Sequence, residues 1–141
     1  MNSRARTYFI TGTDTGAGKT VATLALMEAF KARGLIVGGM KPVASGCERT
    51  AAGLVSGDAE LIRARCSRDW PYALINPLAL EAPAAPDIAA ARDGRHIDRT
   101  SVLQACRTLR GECEVLLVEG IGGWMTPFTG RLTMADLVKE L

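Results

Sequence analysis

The sequence predicts a three-layer α/β fold in which a mostly parallel sheet lies between helices. Residues 8–10 form a short β-prone run, and a glycine-rich loop, a helical pattern over 19–33 and a second apolar strand over 35–40 follow it. This strand–helix–strand order is typical of parallel sheets covered by helices. Residues 115–118 form a continuous apolar run, as expected for a strand that is buried on both faces.

The remaining segments follow from periodicity and turn residues. In chain order we predict a helix over 58–66, an extended segment over 74–80, a proline-containing loop over 81–87, helices over 88–92 and 100–110, a glycine-rich loop over 119–124 and a last helix opened by a capping box at Thr133 to Asp136. Three strands and a weaker fourth are few for a doubly wound sheet. We therefore expect a single domain over 1–141 whose sheet is incomplete at the C-terminus.

Composition and charge argue against nucleic acid and membranes as partners. The chain has 141 residues with 48% hydrophobic and 23% charged residues, which is ordinary globular composition. A net charge of +2 and scattered basic residues argue against nucleic acid, and no apolar run approaches the ~20 residues of a membrane helix. The four cysteines form no CxxC pair, so we interpret them as reduced thiols of a cytoplasmic protein.

The glycine-rich loop over 12–20 predicts a phosphate-binding loop. Gly18, Lys19 and Thr20 match the second half of the motif G-x-x-x-x-G-K-[ST], whereas Thr13 stands where the strict motif has glycine. Gly12 lies one residue earlier, so the loop is a variant that is one residue longer. A chance glycine-rich turn is the alternative. A dinucleotide fingerprint fits less well, because its third small position falls on Val21. The predicted fold is therefore P-loop NTPase-like.

Two charged residues, Lys41 and Glu119, are predicted at the same sheet edge as this loop, and Asp58 could reach a metal ion there. Glu119 follows the strand over 115–118, Asp58 begins a helix, and Lys41 ends the strand over 35–40. Carboxylates there are candidate Mg²⁺ ligands, and a lysine there can hold a phosphate or a carboxylate. The alternatives are a helix N-cap for Asp58, a solvated strand end for Glu119 and a surface lysine for Lys41.

Together these segments resemble the dethiobiotin synthetases, over almost the whole chain from residue 8 to residue 141. The matching blocks are Thr11-Gly12-Thr13-Asp14-Thr15 with Gly18-Lys19-Thr20, Lys41-Pro42-Val43-Ala44-Ser45-Gly46, Gly57-Asp58-Ala59, Asn76-Pro77, Glu81-Ala82-Pro83 with Pro86, and Val118-Glu119-Gly120 with Gly122-Gly123-Trp124.

The resemblance implies an ATP-dependent cyclo-ligase of biotin biosynthesis that works as a homodimer with Mg²⁺. In that reaction 7,8-diaminopelargonic acid and CO₂ form a carbamate, ATP phosphorylates the carbamate, and ring closure gives the cyclic urea dethiobiotin with ADP and phosphate. The resemblance makes Lys41 catalytic, Thr15, Ser45 and Gly120 substrate-binding, and Thr20, Asp58 and Glu119 metal-binding. It assigns nucleotide binding to Gly16, Ala17, Gly18, Lys19, Thr20, Val21, Asp58, Glu119, Gly120, Ile121 and Gly122.

The sequence departs from this family in two respects. Asp87 stands where the family has a histidine after the second proline of its Pro-x-x-Pro segment, which puts a substrate contact of that histidine in doubt. The family's chains also continue well beyond residue 141, with further strands, adenine-binding loops and part of the dimer interface.

Three alternatives remain beside an active synthetase. One is an inactive, truncated synthetase. Another is a nucleotide-switch ATPase of the partitioning type, although residues 12–17 lack the additional lysine of that class. A cobyrinic-acid-type amidotransferase synthetase would need a glutaminase domain that 141 residues cannot hold.

Overall fold

A computed structural model describes residues 5–14 and 16–141. The strands are β1 (Arg6–Gly12), β2 (Val37–Met40), β3 (Val43–Ala44), β4 (Glu48–Thr50), β5 (Gly53–Val55), β6 (Leu78–Ala79), β7 (Val115–Gly123), β8 (Pro127–Thr129) and β9 (Leu132–Thr133). The helices are α1 (Lys19–Lys31), α2 (Gly57–Arg63), α3 (Tyr72–Ile75), α4 (Pro86–Arg92), α5 (Arg99–Glu112) and α6 (Met134–Val138).

The central sheet is parallel and has the strand order β1-β7-β2. Strand β7 pairs with both neighbours, so that Ile10 lies opposite Glu119 and Met40 lies opposite Val118. The apolar residues that open β7, from Val115 to Val118, are buried. The expected α/β fold with a parallel sheet is therefore confirmed.

Helices cover both faces of this sheet, as the two glycines of β2 demonstrate. A Cβ atom on Gly39 would lie 2.4 Å from Ile62 Cγ2 of α2 and 2.8 Å from Met27 Cε of α1. On Gly38, which faces the opposite way, it would lie 3.1 Å from Cys113 Sγ, directly after α5. Glycine therefore stands at the two central positions of β2, because helices approach the strand closely from both sides.

Short paired strands lie outside the central sheet. Strands β3 and β6 pair in parallel, whereas β4 with β5 and β8 with β9 form antiparallel hairpins. Neither hairpin was predicted from the sequence, because strands of two or three residues are too short to show an alternation of apolar and polar residues. None of the helices in the described part of the chain is long and apolar enough to cross a membrane.

Several predicted boundaries were wrong. The expected loop over 119–124 continues β7 as far as Gly123, because Gly123 still lies opposite Gly12 of β1. The expected extended segment over 74–80 begins as helix α3. The predicted loop over 81–87 ends early, because Pro86 opens α4 at a position where proline loses no hydrogen bond.

The N-terminal caps of two helices were predicted from the sequence, one correctly and one wrongly. The capping box at the start of α6 is present, with Thr133 and Asp136 bonded reciprocally. The N-cap reading of Asp58 is wrong. Ser56 caps α2 by accepting a hydrogen bond from Ala59 N, which leaves the Asp58 carboxylate available for other contacts.

Candidate functional site

The phosphate loop lies between the end of β1 and the start of α1. Gly18 occupies the N-cap of α1 in the left-handed region, with φ of 89°, a conformation that glycine adopts without strain. Lys19 is 8% exposed, and its Nζ donates to the backbone oxygen of Asp14 at 2.9 Å. The lysine thus folds back over the loop at a helix N-terminus, a geometry suited to an anion. Thr15, a predicted substrate residue, lies outside the described residues.

A buried lysine joins two carboxylates beside this loop. Lys41 Nζ donates to Glu119 Oε1 at 2.8 Å and to Asp58 Oδ2 at 3.0 Å, and Gly120 O lies 3.4 Å away. Lys41 and Glu119 are 5% and 1% exposed, whereas the side chain of Asp58 is 47% exposed. The surface-lysine reading of Lys41 and the solvated-strand reading of Glu119 are therefore wrong.

The topology of the sheet explains why these side chains meet. Parallel strands point their carboxyl ends to one edge, so β1 leads into the phosphate loop and β2 leads into Lys41. Glu119 lies within β7, opposite Ile10 near the end of β1. Thr20, in the first turn of α1, donates its hydroxyl to Glu119 Oε1 at 2.7 Å. The start of α2 contributes Asp58. Four separate elements therefore place charged and polar groups around one point.

These groups line a cavity of about 430 Å³. Its predicted lining residues are Gly16, Gly18, Lys19, Thr20, Val21, Lys41, Ser45, Asp58, Glu119, Ile121 and Gly122. Ala17 and Gly120 do not line it, although Gly120 presents its carbonyl to Lys41. Ala44 and Ser56 also line the cavity and were not predicted from the sequence. Ala44 lies inside the segment already singled out over 41–46, and Ser56 could have been found as the N-cap of the helix carrying Asp58.

The donor set around Glu119 fits a hard divalent cation. Glu119 Oε2 is buried and has no hydrogen-bond partner among residues 5–14 and 16–141. The ammonium group of Lys41 occupies Glu119 Oε1 and Asp58 Oδ2, which leaves Glu119 Oε2 as a buried carboxylate oxygen available to a metal ion. Mg²⁺ prefers oxygen ligands, and a protein site commonly supplies one or two carboxylates beside substrate phosphates. Thr20, Asp58 and Glu119 offer these oxygens.

Comparison with known proteins identifies the family of the chain. The family described as AAA domain matches residues 6–141, nearly the whole chain. The chain belongs to this family. The matched residues include the phosphate loop together with Lys41, Asp58 and Glu119, here named the Lys41 cluster.

Within this AAA domain family, the chain is similar to curated dethiobiotin synthetases. It is 48% identical over 134 residues to an ATP-dependent dethiobiotin synthetase BioD of Xanthomonas oryzae pv. oryzae, which covers 95% of this chain and 60% of that protein. The identity is 47% over 134 residues for Xanthomonas axonopodis pv. citri, with the same coverage. It is 43% over 136 residues for BioD 1 of Escherichia coli O157:H7, covering 96% of this chain and 60% of that protein. The resemblance drawn from the motifs is confirmed.

The chain spans about 60% of the length of the curated relatives that it matches. The reaction that those complete proteins catalyse is therefore proposed for this chain and is not taken as shown.

Proposed function

We propose that this chain is an ATP-dependent dethiobiotin synthetase of biotin biosynthesis. The observation that carries the proposal is Lys41, a buried ammonium group that faces both a phosphate loop and two carboxylates in one cavity. A buried ion pair contributes little net stability after desolvation, so its presence in a cleft favours a chemical role. The similarity to curated dethiobiotin synthetases supports this substrate class.

The proposed reaction has three steps. One amine of 7,8-diaminopelargonic acid attacks CO₂ and loses a proton, which gives a carbamate. A carbamate oxygen then attacks the γ-phosphorus of ATP, and ADP leaves. The second amine finally attacks the carbonyl carbon of this mixed anhydride and loses a proton, phosphate leaves, and a cyclic urea remains.

Phosphoryl transfer depends on alignment and on stabilising charge, for which these residues are suited. Lys19 neutralises the β- and γ-phosphates of ATP, and the backbone of residues 16–21 surrounds them. The glycine-rich end of β7, from Gly120 to Gly122, lies beside the nucleotide. Lys41 stabilises the carbamate and the transferring phosphoryl group, since its charge already lies at this edge of the sheet. Thr15, Ser45 and Gly120 bind the diamine.

Magnesium has a place in this proposal because of the donor set described above. Thr20, Asp58 and Glu119 would hold the ion, with the orphaned Oε2 of Glu119 as an available ligand atom. The ion would supply positive charge that offsets the negative charge of the triphosphate.

The proposal extends to the assembly and the compartment. We propose that residues 1–141 form a single domain corresponding to the N-terminal part of the family fold, and that the chain forms a homodimer in the cytoplasm. All four cysteines are free thiols, which suits a reducing compartment. Sedimentation of the purified chain over a range of concentrations tests the dimer.

The deciding experiment combines the chain with the diamine, bicarbonate, Mg²⁺ and ATP, and measures dethiobiotin by mass spectrometry together with released phosphate. Stoichiometric dethiobiotin and phosphate support the synthetase. Phosphate without dethiobiotin would favour a nucleotide-switch ATPase of the partitioning type. Absence of both products from a folded chain would favour the alternative of an inactive, truncated synthetase.

A further inference from the structure

Two residues outside the cavity lining connect the two segments that carry Lys41 and Asp58. Tyr72 opens α3 and Asn76 follows that helix directly. Asn76 is 3% exposed, so each of its polar atoms must find a partner inside the protein. Neither residue has a part in the proposed reaction.

Asn76 holds the backbone at Lys41. Its side-chain nitrogen donates to the carbonyl oxygen of Lys41 at 2.8 Å and to that of Leu78 at 3.3 Å. The backbone N–H of Lys41 donates to Ile75 O at 2.7 Å. Both polar groups of the Lys41 backbone are therefore bonded to the end of α3, which fixes the point from which the Lys41 side chain departs.

Tyr72 holds the start of α2 in the same way. Its hydroxyl oxygen accepts from the backbone N–H of Ser56 at 2.8 Å, and Ser56 in turn caps the helix that carries Asp58. The same hydroxyl donates to Asn76 Oδ1 at 3.0 Å. The phenol thus uses its donor and one acceptor position, and burial raises its pKa so that it stays protonated.

We propose that Tyr72 and Asn76 are positioning residues for the Lys41–Asp58 ion pair. Their mutual hydrogen bond, here named the Tyr72–Asn76 bridge, joins the backbone of Lys41 to the N-cap of α2. The long Lys41 side chain has rotamer freedom of its own, so a 3.0 Å contact with Asp58 persists only if both backbones are fixed. The inference rests on the proposed function for its kinetic consequence, but the positioning itself is independent of that function.

The test compares the two tyrosines of the chain. Tyr72→Phe deletes the hydroxyl and keeps the ring, so the bridge and the bond to Ser56 are lost together. Tyr8→Phe is the matched control, because Tyr8 is 39% exposed and its ring stacks on Phe30 with centroids 5.4 Å apart. Each variant is treated briefly with acetic anhydride, and mass spectrometry gives the acetylation of Lys41 relative to the exposed Lys139.

We expect Tyr72→Phe to raise the Lys41 to Lys139 ratio severalfold and to leave the Lys19 to Lys139 ratio unchanged, because only Lys41 is held by the bridge. Dethiobiotin kcat should fall about tenfold with the KM for ATP unchanged, a smaller loss than the roughly hundredfold that a 1 Å misplacement can cause. Tyr8→Phe should alter neither quantity. Asn76→Ser, which retains the Tyr72–Ser56 bond but shortens the reach to Lys41, should raise the same ratio.

Several outcomes would overturn the proposal. Equal Lys41 labelling in the two tyrosine variants would do so, as would a uniform rise at every lysine, which would indicate general loosening. Failure of both Tyr72→Phe and Asn76→Ser to fold would assign the pair to the core alone. If the unaltered chain makes no dethiobiotin, the proposed function fails, while the labelling ratios still decide the bridge.

Discussion

At the scale of single residues, Lys41 is a buried ammonium group that is paired with two carboxylates. It is buried between a fully buried carboxylate and a half-exposed one, and the closer partner is Glu119. Taking these charges out of water costs several kcal/mol per ion, which their attraction offsets only when both partners remain. Removing the ammonium group should therefore have two separate effects, one on the stability of the fold and one on the proposed reaction.

Lys41→Ala should abolish dethiobiotin formation while leaving ATP affinity largely intact, because its proposed contact is with the carbamate and the transferring group. It should also lower the free energy of unfolding by about 3–5 kcal/mol, since Glu119 is left charged and buried. Turnover, isothermal titration with ATP and urea denaturation measure the three quantities. Lys139→Ala, at a side chain that is 72% exposed, is the control.

A double variant separates these two consequences. Lys41→Met combined with Glu119→Gln removes both buried charges and should recover much of the lost stability without recovering turnover. Full activity in Lys41→Ala would remove Lys41 from the mechanism.

Lys19 acts at a different stage. Lys19→Ala should weaken ATP binding by about ten- to a hundredfold, since a hydrogen bond to a charged group contributes about 1.5–3 kcal/mol. Titration calorimetry measures this affinity, and Lys31→Ala at the other end of α1 is the control. An unchanged ATP affinity would contradict the assignment of the phosphate loop.

At the scale of elements, the short helix α6 depends on its cap. The hydrogen bonds that Asp136 accepts from the backbone and hydroxyl of Thr133 hold the pKa of its carboxyl below the ordinary value of 3.8. A depressed pKa in the folded state means that the ionised carboxylate stabilises the fold. That contribution is complete above the unfolded pKa and disappears as the pH falls through the folded pKa.

Asp136→Asn should therefore destabilise the chain at neutral pH, and the difference from the unaltered chain should shrink below about pH 4. Urea denaturation across this pH range measures it, with Glu48→Gln on the exposed strand β4 as the control. A difference that stays constant through the acid range would argue against the ionised cap.

The sequence predicted those elements whose pattern is local. Residue spacing within a single segment was enough to predict the strand over 115–118, the helix after the phosphate loop and the capping box at Thr133. Strand β7 was cut short because its last residues are glycines, which carry no apolar pattern and pair only because Gly12 of β1 lies opposite Gly123. Helix α3 was missed because its four residues are fixed by tertiary bonds to Lys41 and Ser56.

At the scale of the whole molecule, the pKa values and reactivity of the four cysteine thiols reflect their burial in the packed core. Burial raises the pKa of the Cys66 and Cys113 thiols to about 11, and it raises the pKa of Cys47 and Cys106 as well. Each thiol is therefore neutral at physiological pH in the folded chain. Because the folded pKa values exceed the unfolded value of 9.0, the thiols favour the fold below that pH and cease to do so as the pH rises towards 11.

We expect iodoacetamide at neutral pH to alkylate the folded chain slowly and all four thiols rapidly in urea, because the thiolate is the reactive form. Mass spectrometry counts the labels, and free cysteine in the same urea solution calibrates the reagent. Rapid labelling of Cys113 without urea would contradict the buried environment.

The candidate site was largely predictable for a topological reason. Parallel strands bring their carboxyl ends to one edge, so Lys41 and Glu119 could be placed together although they lie far apart in sequence. What sequence could not supply was the depth of burial and the partner of each charge. The Lys41–Asp58 contact requires α2 to approach β2, and that approach depends on Gly39 and on the bonds of Tyr72 and Asn76.

The register of β7 has a consequence for how this chain can change in length. Strand β7 pairs with both neighbouring strands and so fixes the register of each, with Ile10 opposite Glu119 and Val118 opposite Met40. Deleting one residue within 115–118 would turn Glu119 to the other face of the sheet. By contrast, the turns at 51–52 and 130–131 are the exposed tips of the two antiparallel hairpins. Insertions and deletions compatible with the Lys41 cluster should therefore accumulate at those tips and be absent from β7.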